Sequence, residues 1–120
     1  ATPPEHLESA SASEKARMDE LIRRILPVSS RAAGLIDDTR LGKRLGPYPL
    51  ERVSVPSLLV SARDDGFGTY AAAEYTASRI AGAHFMGFEE GGHLLVGHDA
   101  AVQAAVLALL TRSSPSPGAP

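Results

Sequence analysis

Three features of the 120-residue sequence predict an α/β fold whose sheet is incomplete within the chain. The run Ser57-Leu58-Leu59-Val60-Ser61 is apolar without alternation, as in strands covered on both faces. A helical pattern follows from Thr69 to Ile80, and then a second short strand at about Ala83 to Phe88. Strand, helix, strand with a crossover of this length favours a parallel pair in a right-handed unit. Two buried parallel strands cannot cover both faces and both edges of a sheet, so its remainder is expected from an upstream portion of the same polypeptide or from a partner chain.

Each element has a local cause. From Ser11 to Leu26, Met18, Leu21, Ile22, Ile25 and Leu26 recur at helical spacing, Ser11 and Glu14 stand like a capping box, and Pro27 stops the helix. A second helical pattern runs from about Ser30 to Leu41, with Ala33, Leu35, Ile36 and Leu41 apolar and Gly42 as its terminator. Both helices are amphipathic and need a surface to pack on. The turn-rich stretch Gly46-Pro47-Tyr48-Pro49 marks an organisational boundary. In the helix from Thr69, Tyr70, Ala73, Ala77 and Ile80 share a face. The last helix, Ala100 to about Thr111, carries Val102, Val106, Leu107, Leu109 and Leu110, with Asp99 as its expected N-cap. The expected organisation is helical over 1–46, a strand-and-helix unit over 47–112, and a disordered Ser-Pro-rich tail over 113–120.

Composition removes several functions. Twelve Lys and Arg against 14 Asp and Glu give a formal net charge of −2, without the basic footprint of a nucleic-acid binder. No cysteine is present, so thiolate metal sites, disulfides and cysteine nucleophiles are excluded. The start, Ala1-Thr2-Pro3-Pro4-Glu5-His6, lacks the basic and apolar regions of a secretory signal, and no apolar run approaches bilayer-spanning length. A cytoplasmic setting without membrane contact is therefore expected, in a sequence that reads as cut from something longer.

Chemistry concentrates between Ser57 and His98. The first strand ends in Ser61-Ala62-Arg63-Asp64-Asp65 and the second in Glu89-Glu90-Gly91-Gly92-His93. The carboxyl ends of parallel strands open on one edge, where ligands bind in open α/β sheets, so an acid and a histidine 93 − 65 = 28 positions apart reach one crevice. An Asp that accepts the imidazole N–H fixes its tautomer and stabilises the imidazolium formed when the other nitrogen takes a nucleophile's proton. The glycines before His93 let the backbone turn sharply.

These residues resemble the last third of an α/β-hydrolase. In that family an apolar strand ends in an acid-bearing turn, then come a helix, a strand and a loop ending in Gly-His, in the chain order nucleophile, acid, histidine. Pro56-Ser57-Leu58-Leu59-Val60, Ala83-His84-Phe85 and Gly91-Gly92-His93-Leu94-Leu95-Val96 are similar to family wording. The resemblance covers roughly Leu50 to Leu110, and the upstream helices are similar to the end of a helical cap. It implies that Asp65 is the triad acid, since members with an Asp-Asp pair usually use the second, and that His93 is the base. Asp64 is the alternative acid, because many members carry Val-Pro shortly after the acid where this chain has Gly66-Phe67-Gly68-Thr69-Tyr70. No Gly-x-Ser-x-Gly occurs, so the nucleophile is expected in a missing N-terminal hydrolase portion. The implied activity is hydrolysis of an ester, amide or activated carbon–carbon bond in a small-molecule substrate, without metal or organic cofactor; this chain alone is expected to be inactive.

Other readings compete. Gly66-Phe67-Gly68-Thr69-Tyr70-Ala71 fits a dinucleotide-binding fingerprint with Glu89 downstream, but Asp64 and Asp65 beside a pyrophosphate would repel it. A hydrolase-like binding module without chemistry is a third reading. His98 and Asp99 suggest a metal, yet such sites need three or four ligands and an outer shell. His6 and His84 have no partner visible in the sequence and are expected to be structural or solvent-facing.

Overall fold

The structure is a computed structural model that describes residues 2–113; the tail expected to be disordered lies, beyond Ser113, outside the described residues. Among the described residues five α-helices and two strands follow one another as α1 (Pro4–Ser9), α2 (Ala12–Ile25), α3 (Ala32–Gly42), β1 (Leu58–Ala62), α4 (Thr69–Arg79), β2 (His84–Phe88) and α5 (Asp99–Ser113). Single 3₁₀ turns stand at Val28–Arg31 and Leu50–Arg52. No helix among the described residues is long and apolar enough to cross a membrane.

The strands pair in parallel, in a register from Leu58 opposite His84 to Ala62 opposite Phe88. One further ladder bond at each end, His84 N–H to the Ser57 carbonyl and Arg63 N–H to the Phe88 carbonyl, extends the pairing beyond the strands proper. Alternation along β1 and β2 assigns the faces. On one, Ser61 meets Thr69, and the Tyr70 ring stands edge-on to Phe85 at 5.2 Å, so α4 covers this face, with Tyr70 of the predicted helix face among its contacts. Gly87 is part of that fit, because a Cβ there would lie 2.5 Å from the Tyr70 hydroxyl. On the other face, Leu58, His84 and Met86 line a cavity of about 180 Å³ with Ala105 and Leu109 of α5.

Among the described residues the sheet has these two strands alone, and the consequences show in the packing. Leu58, Leu59 and Val60 are only half-buried, although their composition suits a strand covered on both faces. The buried apolar residues are Met18, Ala62, Ile80 and Val96, and none of the described large side chains is fully buried. Leu35, Ile36 and Leu41 of α3 remain more than half exposed. The radius of gyration is 17.2 Å, against roughly 13–14 Å for a compact domain of this length. The described residues form a mixed α/β unit with an incomplete sheet.

Boundaries differ from expectation where side chains cap helices. Ser11 Oγ accepts the Glu14 amide at 3.2 Å and starts α2 as expected, while the Glu14 carboxylate turns forward to Arg17 at 2.7 Å. Asp99 is the first residue of α5 and not its N-cap: the His98 carbonyl takes the Val102 amide, and Asp99 Oδ2 accepts from Gln103 one turn on. Gly42 is the last residue of α3, where a terminator just beyond the helix was expected. The helix α1 has no counterpart in the expected elements; with Pro4 in its first turn and six residues in all, it shows no apolar periodicity to read.

Candidate active site

Both strands deliver their following loops to the same edge of the sheet. After β1 the chain turns at once, with the Asp65 amide bonded to the Ala62 carbonyl and the Gly68 amide to the Asp65 carbonyl. Gly68 takes φ +68°, a left-handed value that glycine adopts without steric cost, and starts α4 there. This turn folds the Asp65 side chain inward, where it is 2% exposed. After β2 the loop from Gly91 closes on itself through bonds from Val96 N–H to the Gly91 carbonyl and from Leu95 N–H to the Gly92 carbonyl. His93 stands out from this loop with its side chain 50% exposed.

The two residues meet. His93 Nδ1 lies 2.9 Å from Asp65 Oδ2. The same oxygen accepts from Thr69 Oγ1 at 2.5 Å, and Asp65 Oδ1 accepts from the Phe67 amide at 2.9 Å. Thr69 in turn lies 2.9 Å from Ser61 Oγ; with the Thr69 proton committed to Asp65, Ser61 is the donor of that pair. Burial by itself pushes the Asp65 carboxyl up, but the hydrogen bonds from Thr69, His93 and the Phe67 amide outweigh it and hold the group well below the usual carboxylate range. An ionised carboxylate only accepts, so Nδ1 of His93 carries the proton, and in the neutral ring the lone pair sits on Nε2. Nε2 has no hydrogen-bond partner among the described residues. The Phe67 ring meets the imidazole edge-on at 4.7 Å and 83° and limits its rotation from one side. A histidine so arranged can take a proton at Nε2 while the resulting positive charge is stabilised at Nδ1.

Asp64 has different partners from its neighbour. Its Oδ1 accepts the Gly92 amide at 2.8 Å, and its Oδ2 lies 3.3 Å from the Gly91 amide and 2.5 Å from His6 Nε2. Partial burial raises its carboxyl; the Gly92 amide, His6 and the Gly91 amide outweigh that and lower it. The sequence shows no partner for His6; α1 brings it onto a carboxylate 58 positions away, a structural contact with no local pattern in the sequence. The structure brings Asp65, not Asp64, to His93.

The remaining expected residues lie apart from this arrangement. His98 stacks on Phe88 at 3.9 Å and 17°, with Nε2 3.0 Å from the Glu90 carbonyl. His84 lines the cavity towards the amino-terminal end of the strands, the end away from His93. Among the described residues no group of three or more His, Asp or Glu is arranged to hold a metal ion. Thr69 was not singled out by sequence, though a hydroxyl four positions after an acid, opening a helix, is a readable signal.

No curated protein and no solved structure matches the chain. A family model described as serine hydrolase matches residues 7–112, which include α2, both strands, Asp65 and His93. With most of its length covered by that model, the chain belongs to the serine hydrolase family.

Proposed function

We propose that this chain is the C-terminal part of a serine-type α/β-hydrolase, in which Asp65 and His93 are the acid and base of a catalytic triad and the serine comes from an upstream portion. The observation that carries this reading is the 2.9 Å contact between a buried, ionised Asp65 and Nδ1 of a half-exposed His93, at the carboxyl edge of a parallel sheet. In this role Nε2 of His93 takes the serine proton as the hydroxyl oxygen attacks the substrate carbonyl, and Asp65 stabilises the imidazolium. The proton then passes to the leaving group. His93 next activates a water that releases the acyl group from the serine. The reaction class is cleavage of an ester, amide or activated carbon–carbon bond in a small molecule. Residues 47–112 supply the end of the catalytic core and residues 1–46 the end of a cap.

The dinucleotide reading of the same loop is less well supported. The Phe67 amide and the Thr69 hydroxyl, which would have to face a pyrophosphate, are bound to the Asp65 carboxylate. An anion placed there would have to displace one carboxylate and lie beside another.

The test is His93→Ala in the complete hydrolase. Nearly all turnover should be lost, with an unchanged circular dichroism spectrum. Full activity in the folded variant would refute the assignment and favour a binding module.

A further inference from the structure

The loop that presents His93 is held by groups outside the Asp65–His93 pair. Four of the backbone polar groups around the histidine are tied to side chains from elsewhere in the chain. The Gly91 and Gly92 amides point to Asp64, at 3.3 Å and 2.8 Å. The Leu94 amide donates to Thr2 Oγ1 at 2.8 Å, and the Leu94 carbonyl accepts from Arg17 Nη2 at 2.9 Å. Gly92 is buried with φ +59°, and a Cβ on it would lie 2.4 Å from the Thr2 Cα, so the segment before α1 is packed directly on the turn.

Asp64 is the centre of this arrangement. A carboxylate with two oxygens can serve both amides and still accept a third donor, and His6 supplies that donor at 2.5 Å. The Gly91 amide is also 3.4 Å from His6 Nε2, but a nitrogen that donates to Asp64 has no lone pair to offer, so the carboxylate is the better acceptor. His6 and Asp64 are both largely covered, with side chains 19% and 25% exposed, which limits competition from water. The adjacent acids therefore divide the work: Asp65 holds the ring of His93, and Asp64 holds the backbone from which the ring projects.

We propose that Asp64, seated by His6, is a positioning residue that fixes the Gly91–Gly92 turn and thereby sets His93 on Asp65. This rests on the reading of Asp65 and His93 as a catalytic pair. Asp64 touches neither substrate nor reacting atoms; it acts through the loop. Displacement of a catalytic group by about 1 Å can cost up to about 100-fold in rate, so slackening this turn should appear in turnover more than in substrate binding.

The experiment compares four variants of the complete hydrolase. Asp64→Asn keeps the shape but turns one acceptor into a donor that cannot receive either the Gly91 amide or His6. It should lower kcat by up to about 100-fold with KM unchanged, and weaken the downfield proton signal of the His93 Nδ1–H. His6→Leu should do the same in milder form. His6→Gln, whose amide nitrogen can still donate to Asp64, should restore kcat. His93→Ala, run in parallel, reports on the underlying reading. An inactive His93→Ala with Asp64→Asn at parental kcat would overturn the positioning role and leave the reading intact, whereas an active His93→Ala would remove both. If Asp64→Asn does not fold, the His6 pair decides: a loss in His6→Leu that His6→Gln restores supports the proposal, and parental kcat in His6→Leu, or a loss that Gln does not restore, overturns it.

Discussion

Asp65 and Thr69 are bonded at 2.5 Å across the turn that leads into α4, so the hydroxyl that opens the helix also anchors the carboxylate that faces His93. The Phe67 amide, the Thr69 hydroxyl and the histidine all donate to the acid. Two of these donors, the Phe67 amide and the Thr69 hydroxyl, belong to the same turn as the acid.

That anchoring has a measurable acid limb. The Asp65 carboxyl in the folded chain lies below its ordinary value of 3.8. A group depressed on folding contributes stability in full above its unfolded value and loses it as pH falls towards the folded one. Denaturation midpoints should therefore fall between about pH 5 and about pH 2, and less steeply in Asp65→Asn. The same variant should reduce kcat in the complete hydrolase by about 10⁴-fold, since an amide can hold the ring in the wrong tautomer. An identical pH slope in parent and variant would show that Asp65 is not stabilised by its donors.

Thr69→Val removes a charge-directed hydrogen bond without changing the shape of the side chain. The expected cost is about 1.5–3 kcal/mol in unfolding free energy, with the Asp65 carboxyl titrating at higher pH than in the parent. Thr69→Ser should keep most of both. Carboxyl carbon NMR of Asp65 through an acid titration checks the shift, and urea denaturation checks the stability.

Gly92→Ala places a Cβ against the Thr2 backbone and forces a left-handed φ on a residue that resists it. The strained backbone alone costs about 1–2 kcal/mol. The segment before α1 should detach from the histidine loop, which limited proteolysis near the N-terminus and a lowered denaturation midpoint would both register. Protease resistance equal to the parent would place that segment's role elsewhere.

How far the sequence foretells this structure depends on the range of the interactions. The α4 face, Tyr70, Ala73, Ala77 and Ile80, follows from helical periodicity, and the parallel pair follows from an apolar run, a crossover and a second strand. Strand ends fall within a residue of expectation, because Ser57 takes part in the ladder only through its carbonyl. The juxtaposition of Asp65 and His93 was legible because parallel strands open on one edge. What stayed hidden is contact over long separations: His6 on Asp64, Thr2 on Leu94, Arg17 on Leu94. None has a local pattern, since each depends on where α1 and α2 come to rest. The exposed apolar residues of α3 are amphipathic in sequence and yet unpacked, as an incomplete sheet and its covering layers would leave them.

In the proposed triad the histidine acts on a serine outside this sequence. The most direct measurement treats the complete hydrolase with a serine-directed organophosphorus probe and locates the adduct by peptide mass spectrometry. The expected result is one modified serine upstream of Ala1, with labelling abolished in His93→Ala. An adduct on a serine within residues 1–120, or labelling that survives the loss of His93, would contradict it.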